Sequence, residues 1–234
     1  MINDIRSFSE KEFKDTGLKK VYFTYRKYSV IREMGEYRLE GFFRRLGYEI
    51  ISPEEYTFRE QLNILLSCSE FASTIGSVAH NVVFLRENTK VYLIPRSDFI
   101  TEYQFALDEI CDADITFVDS SLSLYTHPAH PWGGPFYFII SDNLLDLFGK
   151  KIKRKNNNRG FFVYRQLGFW MNGYHDIGDY YRREYKKYLK MPVEKVEKFS
   201  GFFRICQKLH IRRMVAWVLI KLEVVYNHCR RDKR

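Results

Sequence analysis

The 234-residue chain contains few cysteines and has no long apolar run. The four cysteines are Cys68, Cys111, Cys206 and Cys229. They are far apart and form no CxxC pair, which argues against a zinc site or a disulfide framework and predicts a reducing compartment. The first residues, MINDIRSFSEKEF, include no apolar segment behind a basic start, so we expect no signal peptide and a cytoplasmic location.

Enough apolar material is present for a sizeable core. Hydrophobic residues make up 45% of the chain and aromatic residues 17%, which excludes a disordered protein. Runs of strand length occur at residues 21–25, 48–51, 71–75, 91–94 and 115–118. Helical patterns lie between them, including residues 36–46 and 99–110, with Ser97 as the expected cap of the second. This alternation predicts a Rossmann-like α/β fold, a doubly wound parallel sheet covered on both faces.

The stretch of residues 58–95 is the most informative part of the chain, and a glycine turn lies within it. FASTI is an apolar run of strand length, Gly76 follows it directly, and a second helix is expected after the glycine. Backbone N–H groups at such a helix start point toward an anion, and a nucleotide diphosphate suits them. Many doubly wound sheets have a glycine here for a tight turn alone, so that alternative stays open. Upstream, Thr57 and Glu60 have the spacing of a capping box.

Three blocks of the sequence resemble the carboxy-terminal half of glycosyltransferase family 61, whose bacterial members make capsular and other surface polysaccharides. The block KKVYFTYRKYSVIREMGEYRLEGFF supplies Arg26, Arg32 and Glu36. The block LGYEIISPEEYTFREQL supplies Phe58, Glu60 and Gln61. The glycine turn supplies Gly76, Ser77, Asn81 and Phe84. Many family members have a histidine where this chain has Ile75, so the role of that imidazole is absent or passes to His80.

The resemblance implies a nucleotide-sugar-binding domain that forms one half of a GT-B-like enzyme. The residues expected to bind the nucleotide sugar are Arg26, Arg32, Glu36, Glu60, Gln61, Gly76, Ser77, His80 and Asn81. Family members usually have a further amino-terminal half, so this chain is expected to be shortened or completed by a partner chain. No general base is assigned.

Metal-independent chemistry is expected, because no DxD motif follows the carboxyl end of a predicted strand. Arg26, Arg32 and the amides after Gly76 would then stabilise the leaving diphosphate. The alternatives are ordinary structural roles: solvated charges for the arginines, capping or dipole effects for Glu36 and Glu60. By the same reasoning, Gln61 and Asn81 could satisfy backbone groups, and His80 could be a satisfied core residue.

A loop rich in proline and glycine follows the predicted sheet. Trp132, Gly133 and Gly134 are candidates for binding the saccharide acceptor, because an indole face suits a sugar ring and glycines permit close approach. A rigid turn with a buried Trp132 is the alternative. His127 and His130 form an HxxH pair in which each histidine is followed by a proline, and we expect no metal there.

Charge divides the chain into parts. Residues 1–149 contain 15 Lys and Arg against 22 Asp and Glu, a net −7, whereas residues 150–234 contain 23 against 7, a net +16. We therefore expect a lead-in at 1–17, the Rossmann-like domain at 18–149 and a basic, largely helical extension at 150–234. The segment 214–226 is too short and too interrupted by charge to span a bilayer, which needs about 20 apolar residues, but it suits an anionic membrane surface.

Two other functions fit the same sequence. A basic nucleic-acid-binding protein would use the alternating tyrosines and cations of YYRREYKKYLK, although no recognised binding motif accompanies them. A non-catalytic relic of the family would serve as an adaptor for another glycosyltransferase.

Overall fold

The computed structural model describes residues 13–25, 33–97, 100–111, 113–122 and 136–151. The chain divides into two compact units, Met1–Ile152 and Lys153–Arg234, and every described residue belongs to the first. Several predictions of the preceding section lie outside the described residues. They concern Arg26, Arg32, His127, His130, Trp132, Gly133, Gly134 and the basic extension.

A five-stranded parallel sheet forms the centre of the described fold. In chain order its strands are β1 (Lys20–Phe23), β3 (Glu49–Ile51), β4 (Glu70–Thr74), β5 (Lys90–Ile94) and β6 (Asp114–Phe117). Their spatial order is β3-β1-β4-β5-β6, and all four neighbouring pairs are parallel. The predicted strands and parallel sheet of a Rossmann-like fold are confirmed. Each observed strand agrees with its prediction to within one or two residues.

Helices and a small second sheet cover this centre. The α-helices of the described part are α1 (Glu36–Arg45), α2 (Phe58–Ser67), α3 (Glu102–Ile110) and α4 (Asp142–Leu147), and 3-10 helices span Pro53–Glu55 and Ala79–Phe84. The second sheet consists of β2 (Glu33–Met34), β7 (Ser121–Leu122) and β8 (Phe136–Phe138), with β8 in the middle. The sequence did not predict this second sheet.

Alternating side chains on the parallel strands build two separate cores. On β1, Val21 and Phe23 pack with α2 residues on one face, whereas Tyr22 packs with α1 residues on the other. Tyr22 stacks on Phe43 of α1 at 4.9 Å between ring centroids. Both faces of the sheet are therefore covered, as predicted for a doubly wound fold.

Two local predictions are wrong. The helix expected from residue 99 begins at Glu102, and Thr101 rather than Ser97 is its N-cap residue. The helix expected after Gly76 is a six-residue 3-10 helix that begins at Ala79. This segment contains Val82 and Val83, whose branched side chains disfavour a long α-helix, and 3-10 geometry is common in such short pieces. Within the described residues, no helix has the length and apolar character that crossing a membrane requires.

Candidate functional site

The order of the strands identifies where a ligand would bind. From β1 the chain passes to β3 on one side and then to β4 on the other, so the strand order reverses between β1 and β4. In open α/β sheets ligands bind beyond the carboxyl ends of the strands at such a switch point. Tyr25 follows β1 there, and Gly76 and Ser77 follow β4. The segments that follow β1 and β4 were predicted to lie close together. The structure shows this for the part of the first segment that it describes, which ends at Tyr25.

Tyr25 joins the two sides of the switch point. Its hydroxyl group forms a short hydrogen bond with the Ser77 hydroxyl and accepts a hydrogen bond from the Val78 backbone N–H at 2.8 Å. A second amide of this turn is also used within the protein, since Ala79 N–H donates to the Gly76 carbonyl at 2.8 Å. The sequence predicted that amides after Gly76 would bind a phosphate, and for the amides of Gly76 and Ser77 this stays a prediction.

Glu36 fixes the position of Tyr25 through hydrogen bonds at the end of β1. Its carboxylate is completely buried at the start of α1 and accepts hydrogen bonds from the Tyr25 backbone N–H at 3.0 Å and the Tyr22 hydroxyl at 3.3 Å. One residue before Tyr25, the Thr24 hydroxyl donates to Glu40 at 2.8 Å. Two carboxylates of α1 therefore fix the end of β1, which makes this edge of the site a rigid support.

Arg96 also belongs to the site, although the sequence did not indicate it. It follows β5, and the central carbon of its guanidinium group lies 4.2 Å from the centroid of the Tyr25 ring and 5.2 Å from that of Phe136. A Cβ atom placed on Gly76 would lie 2.6 Å from Nη1 of Arg96. Gly76 therefore has a second function besides its turn: it lets the guanidinium group approach the backbone. The signal available in the sequence was an arginine two residues beyond a predicted strand.

His80 lies beside this cluster on the 3-10 helix. Burial lowers the pKa of His80, the Arg96 cation lowers it further, and the Asp108 carboxylate opposes both effects. Burial also raises the pKa of Asp108, although the Gln104 side chain donates to its Oδ1 atom at 2.8 Å. Gln104 and Asp108, both on α3, were missed because nothing in the sequence showed that α3 would contact this helix.

The other predicted residues make hydrogen bonds within the fold. The Glu60 carboxylate accepts from the Thr57 backbone N–H at 2.7 Å and hydroxyl at 2.8 Å, which completes the predicted capping box and lowers the pKa of Glu60. Gln61 donates to the Pro53 carbonyl at 2.8 Å, and Asn81 donates to the Val78 carbonyl at 3.0 Å. These contacts supply structural roles, and ligand binding by these residues stays a prediction.

An edge-to-face contact connects the start of α2 with the 3-10 helix. The Phe58 and Phe84 rings lie 5.7 Å apart, so the second and third sequence blocks are joined at the carboxyl side of the sheet. In the described part of the chain, no cluster of three or more His, Cys, Asp or Glu residues is arranged to hold a metal ion.

One known protein family matches the part of the chain that contains the switch point between β1 and β4. The family model described as Glycosyltransferase 61 matches residues 1–92. The predicted resemblance to glycosyltransferase family 61 is confirmed over these residues. The match contains β1, β3, β4 and most residues of β5, including Tyr25, Glu36 and Gly76, and it ends before Arg96.

The family match over residues 1–92 supports a glycosyltransferase-like function, with a nucleotide-sugar donor and a saccharide acceptor in general. The capsular type and the correspondence to a carboxy-terminal half stay predictions. The search of curated proteins found no match to this chain.

Proposed function

We propose that the chain binds a nucleotide-sugar donor at the carboxyl edge between β1 and β4 and transfers its sugar to a saccharide acceptor during synthesis of a surface, capsule-type polysaccharide. One observation carries the proposal: the glycosyltransferase 61 match includes both segments that meet at the switch point, represented by Tyr25 and Gly76. A ligand can reach this edge because Ser77 is exposed to solvent.

The chemistry of transfer requires a stabilised leaving group. Cleaving the bond between the sugar and the nucleoside diphosphate leaves a diphosphate, whose charge fixed cations can offset. Arg26 directly follows Tyr25 in the sequence, and Arg32 lies six residues further along. Arginine suits the task because its planar fork binds two phosphate oxygens at once. Transfer is therefore proposed to proceed with arginines, without a bound metal, at the diphosphate.

The acceptor and the location follow from the remaining predictions. We propose that Trp132, Gly133 and Gly134 contact the saccharide or lipid-linked saccharide acceptor. The basic extension would hold the protein on the anionic inner face of the cell membrane, where each cation near the surface contributes roughly 1 kcal/mol. A partner chain could complete the cleft for turnover.

The test is calorimetric titration of the purified chain with a panel of nucleotide sugars and nucleoside diphosphates, with and without magnesium. The proposal predicts saturable binding of one nucleotide class that does not require the metal. The absence of binding across the panel would contradict it and favour the adaptor function.

The variant Gly76→Asp tests whether nucleotide binds at this turn. A carboxylate at this position would pair with Arg96 and occupy the place proposed for the donor's diphosphate, so nucleotide binding should be lost. Gly47→Asp is the control, because Gly47 also has a positive φ of 86° but lies before β3, at the opposite edge, with open space around it. It should bind nucleotide like the wild type. Equal affinity in a folded Gly76→Asp variant would contradict the assignment of the site.

A further inference from the structure

We propose that Arg96 is a diphosphate-binding residue of this site and that Gly76 is a glycine because any side chain there would displace the Arg96 guanidinium group. The inference rests on the proposed nucleotide-sugar function and adds a residue outside the family match, which ends at residue 92.

The position of Arg96 carries the first step. It follows β5, the strand beside β4, so its backbone stands at the same carboxyl edge as Gly76. Its side chain then approaches the switch point, because the guanidinium atoms come within 2.6–2.9 Å of where a Gly76 Cβ would be. The cation therefore lies over the turn where the proposal places the diphosphate.

The orientation of the guanidinium group carries the second step. Tyr25 and Phe136 contribute aromatic rings at 4.2 and 5.2 Å from its central carbon. Aromatic rings hold a guanidinium group in place by cation–π attraction and restrict its rotamers before a ligand arrives. A pre-positioned planar fork loses less entropy on binding two phosphate oxygens than a flexible cation would. Arg96 is half-buried as a residue, and its Nε and Nη2 atoms are shielded from solvent, so a diphosphate must displace part of this covering to bind them.

The surroundings of Gly76 carry the third step. The exposed Ser77 hydroxyl and the Tyr25 hydroxyl lie on one side of the turn, and Arg96 lies against Gly76 itself. The field of Arg96 also reaches His80, whose pKa it helps to lower. Hydroxyl groups and a cation together form a suitable environment for phosphate oxygens, since both donate hydrogen bonds.

A purely structural role is the competing explanation, because Arg96 connects Tyr25, beyond the large sheet, with Phe136 of the small sheet. The two explanations differ in ligand binding. A structural bridge affects the stability of the free protein, whereas a diphosphate ligand affects the dissociation constant of a folded variant.

The experiment titrates inorganic pyrophosphate into the wild type, Arg96→Gln, Arg96→Lys and Arg86→Gln by calorimetry. Arg86 is the control, because its guanidinium group also lies over an aromatic ring, Phe13 at 4.6 Å, but precedes β5 at the opposite edge of the sheet. Both glutamine variants remove one positive charge. Loss of a charged hydrogen bond should weaken pyrophosphate binding by Arg96→Gln about tenfold or more, with Arg86→Gln changing it less than about twofold. Arg96→Lys should weaken pyrophosphate binding several-fold, since lysine keeps the charge without the planar fork.

Wild-type affinity in folded Arg96→Gln would overturn the inference, as would an equal loss in Arg86→Gln. If Arg96→Gln does not fold, Arg96→Lys decides, and its unchanged affinity would overturn the inference as well. Titration with the nucleotide-sugar panel separates the two proposals. If Arg96→Gln still binds nucleotide sugar like the wild type, only the proposed role of Arg96 is wrong. If the wild type binds neither pyrophosphate nor any nucleotide sugar, both the role of Arg96 and the proposed function are wrong.

Discussion

The contact between Gly76 and Arg96 makes a quantitative prediction for Gly76→Ala. The new Cβ would lie 2.6 Å from Nη1 and 2.7 Å from the central carbon of the guanidinium group, and ordinary contacts of a Cβ lie at 3.4–4 Å. One of the two groups must therefore move by almost 1 Å. The guanidinium group is the mobile one, because it is the end of a long side chain and the Gly76 backbone is fixed between β4 and its turn.

The cost has two parts. Moving the guanidinium group removes it from the Tyr25 and Phe136 rings, and two such contacts at about 0.5–1 kcal/mol each give about 1–2 kcal/mol. Gly76 also has a φ of 157°, a conformation that side chains rarely adopt, and this strain adds roughly 1–3 kcal/mol. Only the first part depends on Arg96.

A double-mutant cycle separates these parts. Urea unfolding followed by far-ultraviolet circular dichroism would compare the wild type, Gly76→Ala, Arg96→Ala and the double variant. The alanine at position 76 should cost about 1–2 kcal/mol less when Arg96 is absent, because the displaced contacts no longer exist. Equal costs in both backgrounds, within about 0.5 kcal/mol, would refute the reasoning that Gly76 accommodates Arg96.

Two further predictions concern the 3-10 helix and the helix starts. Because the folded protein lowers the pKa of His80 from 6.5, the stability that this group contributes is present above that pH and is lost as the pH falls below it. His80→Gln should flatten the decline in unfolding free energy between pH 7 and about 5.5, and an unchanged slope would contradict this. Thr57→Ala should cost about 1 kcal/mol in unfolding free energy, because the Thr57 hydroxyl accepts the Glu60 N–H at 3.3 Å. Thr101→Ala should cost less, since the Thr101 side chain makes no capping hydrogen bond, and equal losses would argue against the capping box.

The large sheet could be predicted because its signals are local. Each strand is a short apolar run, and the start of α2 has a capping box whose two hydrogen bonds depend only on Thr57 and Glu60. The buried face of α1 follows from the spacing of Leu39, Phe42 and Phe43. The Gly76 turn is equally visible, since the glycine ends an apolar strand directly.

The second sheet could not be predicted from local pattern. Two of its strands have only two residues each, and β8 has three, which is too short for an alternation to be seen. Its register depends on pairing between β2 and β8, about one hundred residues apart in the chain. The aromatic β8 residue Phe136 was consequently not recognised as part of the site.

Some residues of the candidate site could be predicted from local sequence signals, whereas others depend on contacts between distant parts of the chain. Gly76, Ser77 and His80 were found by motif, but Arg96 and Asp108 act through contacts that only the folded chain creates. The guanidinium group reaches Gly76 because β4 and β5 are neighbours in the sheet. The charge of Asp108 acts on the pKa of His80 because the end of α3 packs on the 3-10 helix. At this contact the Cys111 thiol donates to the Val82 carbonyl at 3.1 Å.

The central claim is that the switch point binds the nucleotide part of a sugar donor. Nuclear magnetic resonance of the isotope-labelled chain, titrated with the best-binding nucleotide diphosphate, tests it most directly. The account predicts saturable shift changes at the backbone amides of Tyr25, Gly76 and Ser77, with Ser69 and Thr89 at the opposite edge unaffected. Shift changes centred on Ser69 and Thr89, or none at Gly76 and its neighbours while the ligand binds, would contradict it.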